Sequence, residues 1–384
     1  MKSISLFVAS FLLLAACTIK KSTAVEKPSK EAIAAAMTKA NDYFMEKFSD
    51  PGVDLIQPPT GKVWKSNIWT WGTYATGAMA LYQTNKDPRV LEYLTDWGEK
   101  HQWKMSTAEM FNDHLAGQTY IELAQLGENK EHYYEDVKNS IEAFVETGDV
   151  QGRGFGDNWN WVDASYMAMP LFAQLANITG DKAYMDKMES LYFNMKNEVG
   201  GGLYNAEEGL WWRDASFKTP YKEPNGEDCY WSRGNGWVVG ALVRTLNFLP
   251  KDAQGREEYK NILKEMSAAL LKAQRVDGAW NVSLHDPTNF GGIELTGTAF
   301  FVYGMAWGVN NGLLDATVYK PAIYKAWNCM VKECMHSNGF LGYVQGTGEQ
   351  PSSGQPVTHT SMPDFEDYGL GAFLLAGSEV YKLQ

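Results

Sequence analysis

Residues 69–85 read WTWGTYATGAMALYQTN, a helix-length run without a charged side chain and rich in Gly, Ala and aromatics. A helix that is apolar all round is buried on most sides. The segment before it, 30–49, carries its Lys and Glu on one face and reads as an outer helix with a wet side. The same alternation continues to the C-terminus. Wet segments lie at 30–49, 87–102, 130–147, 181–198, 256–274 and 317–335, and dry ones at 69–85, 106–127, 161–179, 231–249, 294–314 and 364–382. A cyclic helix-pair repeat of this kind predicts an all-α fold, an (α/α)6 barrel in which a ring of parallel inner helices is wrapped by antiparallel outer ones. Small residues on the dry segments (Gly77, Ala78, Gly117, Gly240, Gly304, Gly371) let inner helices approach closely. The connections 199–230 and 276–292 are the places for short hairpins, and Pro58-Pro59 and 351–356 mark loops.

Upstream of the barrel, Lys2, the apolar run 6–16 and Leu14-Ala15-Ala16-Cys17 form a bacterial secretory signal that is too short to span a membrane. Its end resembles a lipoprotein signal. The expected organisation is therefore a signal peptide at 1–17 with Cys17 lipidated, a polar tether at 18–30 and one catalytic domain at 31–384. The chain is then tied to the cell envelope, on the periplasmic side of the outer membrane, through its lipid anchor alone. A formal charge of −12 argues against nucleic acid as a partner. Cys229, Cys329 and Cys334 form no CxxC pair, and the six histidines lack a ligand spacing, so neither a metal nor another cofactor is expected. The 14 Trp and 20 Tyr exceed what a core needs; flat amphipathic rings suit sugar faces, and an aromatic-rich core is the alternative.

If the inner helices are parallel, their N-terminal ends meet at one mouth. Those ends carry Trp69 and Trp71; Asn112, Asp113 and His114; Trp161 and Asp163; Trp231, Arg233 and Asn235; Glu294 and Thr296; and Asp364, Glu366 and Asp367. Asp163 is the only charge in some twenty residues. An isolated carboxyl near apolar walls keeps its proton, as a general acid must, although Asp before an apolar run also caps helices. Asp113 follows the same grammar, and two carboxyls in one pocket can divide acid and base roles; its alternatives are capping and a bond to His114. Arg233, in the first turn of its helix, meets an unfavourable dipole and needs an anion, either a structural carboxylate or a carboxylated ligand. In the surrounding WSRGNGW, Trp231 and Trp237 are placed to bracket a sugar ring beside Asn235, and Gly234 and Gly236 to admit backbone close to it. Arg213, in GLWWRDASFK, is a second anion contact or a solvated loop arginine. Glu294 reads as structural, and the run 364–367 as helix-start charge.

WSRGNGW before an apolar helix, the WxD and YMAxP pattern from Trp161 to Pro170, FNDHxxG around Asp113, and ELTGTAFFVYGMAWGVNNGLLD at 294–315 together resemble the unsaturated glucuronyl and rhamnogalacturonyl hydrolases, glycoside hydrolase families 105 and 88, with 105 the nearer. The likeness runs from about residue 40 to the C-terminus. It implies removal of the 4,5-unsaturated uronic acid that a polysaccharide lyase leaves at a non-reducing end. An aspartate protonates C4 of the vinyl ether, water adds at C5, and the hemiketal falls apart. By this resemblance Asp163 is the acid/base residue, Asp113 its partner, and Trp161, Trp231, Arg233 and Trp237 line the sugar pocket. Arg213 departs from the pattern, standing where many family 105 members have histidine; it puts the neighbouring subsite in doubt and raises a sulfated or differently linked neighbour as substrate. Two rivals stand beside this reading. An epimerase or inverting glycosidase on the same barrel would need acid/base histidines, of which only His114 is well placed. A non-catalytic glycan-binding lipoprotein would carry exposed aromatic platforms and no buried Asp pair.

Overall fold

The computed structural model describes residues 25–106, 112–127, 129–147 and 159–384. The expected signal peptide and Cys17 lie outside them, as does the side chain of Asp113. The dry segments become α2 (Trp69–Asn85), α4 (Leu115–Ala124), α6 (Asp163–Thr179), α8 (Ser232–Phe248), α10 (Leu295–Asn310) and α12 (Asp367–Lys382). Each packs on the next, and α12 packs back on α2, so the ring closes. The wet segments become α1 (Lys30–Lys47), α3 (Pro88–Lys100), α5 (Glu135–Thr147), α7 (Ala183–Asn197), α9 (Arg256–Ala273) and α11 (Ala316–Cys329). They wrap the outside: α7 lies on α6, α9 on α8 and α10, and α11 on α10 and α12. The (α/α)6 barrel read from the charge alternation is the fold. Outer helices start on sequence-legible caps, Ser29 accepting from the Ala32 N–H (3.1 Å) and Asp87 from Arg89 (3.0 Å) with Pro88 at the first helical position.

Closure depends on glycine where α2 meets α12. A Cβ at Gly77 would lie 2.3 Å from the carbonyl oxygen of Gly371, and one at Gly371 would lie 2.2 Å from that of Thr73. Any larger residue at either position drives these helices apart.

The barrel axis also carries polar work. Pro170 sits inside α6 and has no N–H for the carbonyl of Tyr166. Gln118 of α4 supplies the missing donor, its Nε2 reaching the Tyr166 and Met167 oxygens at 2.8 and 3.2 Å. Its Oε1 accepts from Arg244 Nε of α8 at 2.8 Å, and Arg244 pairs with Glu122 at 2.6 Å. A proline that would break an isolated helix thus becomes a cross-link among three.

Asp367 sews the seam between α12 and α2 at the mouth, where Thr70 Oγ1 donates to its Oδ2 at 2.9 Å. Burial outweighs the Thr70 and main-chain hydrogen bonds and raises this carboxyl to about 7. In the unfolded chain the proton leaves near pH ~4, so between about pH 4 and 7 the folded state binds more protons and stability falls as pH rises. Asp367→Asn keeps an acceptor for Thr70 and removes the titration. Across that window its melting temperature should lose the decline that the wild type shows, a difference read by thermal unfolding at a series of pH values.

Two connections differ from expectation. Where Pro58-Pro59 marks a loop in the sequence, the structure has a hairpin, β1 (Asp54–Gln57) paired antiparallel with β2 (Lys62–Lys65), that turns at those prolines. The hairpin expected in 199–230 is present as β3 (Tyr204–Asn205) and β4 (Leu210–Trp211), but no strand forms in 276–292. There the Asp286 carboxylate takes the N–H groups of Thr288 (2.9 Å), Asn225 (3.1 Å) and Asn289 (3.2 Å), so side chain replaces ladder.

Candidate active site

The N-terminal ends of α2, α6 and α8 and the turn Asn112–His114 surround a cleft of about 340 Å³. The β1–β2 hairpin and a strap, residues 345–353, complete its wall through Gln57, Trp64, Thr347 and Glu349. Asp163 opens α6 on the cleft side and does not cap it; the position before, Val162, makes no side-chain cap either. Nor is the carboxylate alone, as its sequence neighbourhood suggested: Arg213 Nε donates to Asp163 Oδ2 at 3.2 Å.

Local structure explains why a loop arginine is held there. The Val162 N–H donates to the carbonyl of Arg213 (2.9 Å), pinning the connection after β4 to the start of α6. On its other side Asn235 of α8 grips the same segment: Oδ1 accepts from the Trp211 N–H (2.9 Å), and Nδ2 donates to the Trp211 and Trp231 oxygens (3.0 Å each). Arg213 also pairs with Asp214 (2.7 Å) and Glu349 (3.5 Å). Burial disfavours its charge, but Asp163, Asp214 and Glu349 outweigh burial and hold the guanidinium above the usual arginine value.

Arg233, only 1 % exposed, lines the same cleft. Its Nη1 donates to the Gln345 carbonyl (2.7 Å) and its Nη2 to those of Gly346 (2.9 Å) and Gly348 (3.5 Å). The guanidinium lies 4.5 Å from the Trp231 ring centre and 5.3 Å from that of Tyr368. Among the described residues no ion pair with a carboxylate involves it. A buried cation satisfied by carbonyl dipoles alone is a costly arrangement, and an anion entering the cleft would relieve it. The strap that presents those carbonyls is itself tied down. Gln345 accepts from the Trp231 indole (2.9 Å) and donates to the oxygens of Gln350, Pro351 and Ser353 (3.0, 3.2 and 2.6 Å). Asp364, which read as helix-start charge, instead accepts from the Thr347 N–H (2.8 Å) and from Gln57 Nε2 (2.9 Å).

Of the expected site residues, Asp163, Trp161, Arg213 and Arg233 line the cleft. The main chain of Asp113 lies in the turn at its rim. Others fall elsewhere. Trp231 and Trp237 are fully buried and bracket no open space; Trp237 packs on Tyr166 and Phe300 beneath the cleft. Asn235 is the clamp just described, and Gly236 faces Phe300 of α10 rather than a ligand. His114 is wholly buried, which pushes its imidazole down to about 3 and keeps it neutral, and it does not line the cleft. Trp71 points away to Phe44 and Phe48, while Trp69, two residues earlier, lines the cleft. Residues two apart on a helix lie about 200° apart, so only one could face inward. Glu294 caps α10 through the Thr296 and Gly297 N–H groups (3.0 and 2.7 Å). The strap and the hairpin residues Gln57 and Trp64 had no motif to announce them.

Comparison with known proteins agrees with this architecture. The sequence model of glycosyl hydrolase family 88 matches residues 36–384. A Formosa agariphila protein named unsaturated 3S-rhamnoglycuronyl hydrolase is 34% identical over 331 residues, 82% of this chain and 85% of its own. A protein of the same name from Alteromonas sp. is 28% identical over 333 residues, 82% and 78% of the two chains. Among solved structures, a family 88 glycosyl hydrolase from Bacteroides vulgatus superposes with a TM-score of 0.81 at 30% identity, covering 93% of this chain and all of its own. A member ascribed to family 105 from Salmonella enterica, at 21% identity and a TM-score of 0.72 over 93% and 96% of the chains, shares the fold. The resemblance leaned to family 105, and the matching sequence model is that of family 88. A family match across the whole barrel, with a relative 34% identical over most of both chains, means that this chain belongs to glycosyl hydrolase family 88 and is an enzyme that hydrolyses glycosides.

Proposed function

We propose that the cleft removes a 4,5-unsaturated uronic acid from the non-reducing end of lyase-generated oligosaccharides, with a sulfated rhamnose as the leaving sugar. The observation that carries the reading is Arg233, a buried cation that among the described residues meets main-chain carbonyls and aromatic rings but no carboxylate, in the same cleft as Asp163. The uronate carboxylate supplies the missing anion, and Trp69 and Trp161 offer ring faces to the sugar. Asp163 in its acid form then donates a proton to C4 of the vinyl ether. The C4=C5 electron pair takes that proton, and water adds its oxygen to C5 while returning a proton to the carboxylate. The C5 hemiketal opens to a ketone and the bond at C1 breaks, freeing the leaving sugar. Asp113 serves as the second carboxylate. Because the double bond is attacked, the carboxylate-separation rule of ordinary glycosidases has no bearing. The leaving sugar is drawn from the names of the two relatives, whose "3S" we read as a 3-sulfated rhamnose, and from the second cleft cation, Arg213. The lipid anchor at Cys17 and a place in the bacterial cell envelope belong to the same proposal, since such oligosaccharides arise where secreted lyases work.

The net charge opposes long-range attraction of an anion, but screening limits that repulsion to about 8 Å, and inside the cleft the arginines dominate. The test follows the ultraviolet absorbance of the conjugated uronate during incubation with lyase digests of ulvan, pectin and glycosaminoglycans. The signal should disappear with the ulvan digest first. Persistent signal in every digest, with binding still measurable, would replace this reading with that of a glycan-binding protein.

A further inference from the structure

Arg213 is one cation among three carboxylates, and the three are not held alike. Asp163 belongs to α6. Asp214 is fixed in its turn, accepting the Ser216 N–H at 2.8 Å while it pairs with Arg213 at 2.7 Å. Glu349 is different: its side chain is 57% exposed, and its contact, at 3.5 Å, is the longest of the three. The strap that carries it is anchored on either side, by Asp364 at Thr347 and by Gln345 at 350–353, so the backbone stays while the Glu349 side chain is free to leave.

We propose that Glu349 is a specificity-determining residue, a built-in stand-in for the acidic substituent of the leaving sugar. This rests on the function proposed above. When the sugar next to the scissile bond carries a sulfate, the sulfate takes Arg213, and Glu349 turns out to solvent. When that sugar is neutral, Glu349 stays and, beside Asp214, counters the pull of Asp163 on the guanidinium. The enzyme therefore accepts both substrates, and Glu349 sets the ratio between them. Two anions cannot share one face of Arg213 without repulsion, so the carboxylate taxes the sulfated substrate and supports the neutral one.

The experiment compares kcat/KM for unsaturated uronyl-rhamnose disaccharides with and without a 3-sulfate, in the wild type, Glu349→Gln and Glu349→Asp. Glu349→Gln should speed the sulfated substrate and slow the neutral one, raising their ratio by roughly fivefold, the scale of one partly exposed ion pair. Glu349→Asp, which keeps the charge, should return the ratio towards the wild-type value. A ratio within twofold of wild type in Glu349→Gln, or a parallel fall on both substrates, assigns Glu349 a merely structural place and overturns the proposal. Failure of the wild type to consume either disaccharide would sink the functional reading itself, and this proposal with it, so the two failures are distinguishable.

Discussion

Asp163→Asn should retain the fold and lose roughly 10³-fold in kcat, the middle of the range for removing a general acid–base group. Asn is the same shape, and its side-chain oxygen still accepts from Arg213 Nε, so the clamp of Val162 and Asn235 around the Arg213 segment has no reason to loosen. What disappears is the proton. The vinyl ether stays bound on Arg233 and is not protonated, so KM should change little while turnover collapses. Initial rates by loss of ultraviolet absorbance, with circular dichroism to establish folding, decide it. A fall of less than tenfold would move the acid role to another carboxyl, with Asp113 first in line.

Arg233→Lys should lower kcat/KM by roughly 10²-fold, mostly through KM, a loss in the range seen when one partner of a buried charged pair is compromised. The substitution keeps the charge but loses the planar fork. Arg233 divides its five donors between the strap carbonyls and the open cleft, with Nη1 on Gln345 and Nη2 on Gly346 and Gly348. A single ammonium has to choose between holding the strap and holding a carboxylate. The melting temperature should stay close to wild type, because Gln345 and Asp364 still tie the strap down. If kcat/KM stays within fivefold of wild type, Arg233 is a loop anchor and the uronate carboxylate is bound elsewhere.

The barrel was legible because burial writes itself into charge. Helices inside the ring carry few charged side chains, none in 69–85, and those they have are paired or stand at the mouth, while each outer helix keeps one wet face. The site was legible only as far as single helix ends reveal it. Asp163 and Arg233 stood out as charges where a dry helix begins, and both face the cleft. Trp69 and Trp71 could not be told apart because composition gives no helical phase; the neighbours Phe44 and Phe48 settle which of the two turns outward. WSRGNGW proved less a sugar wall than a junction box. Trp231 holds the strap, Asn235 holds the Arg213 segment, and only Arg233 among its polar side chains lines the cleft. The strap itself was beyond reach, since the Trp231 and Arg233 side chains it meets lie more than a hundred residues away and its carbonyls, present in every residue, leave no trace in sequence.

The meeting of Gly77 with Gly371 places the joint of the ring between its first and last inner helices. As the polypeptide leaves the ribosome, α2 emerges early, with a glycine-notched side that fits no neighbour until α12 follows. Any arc formed by the helix pairs before it would leave the faces that α2 and α12 bury against each other open to water, the condition that invites chaperones or unwanted association. Bringing the edges together restrains a loop of most of the chain, but that entropy grows only with the logarithm of loop length, and many packed side chains reward it at once. Closure of the ring therefore has to wait for its last inner helix. Circular permutation that links α12 to α1 and opens the ring at another surface connection would let α12 and α2 be synthesised close together, and would turn this last step into one of the first.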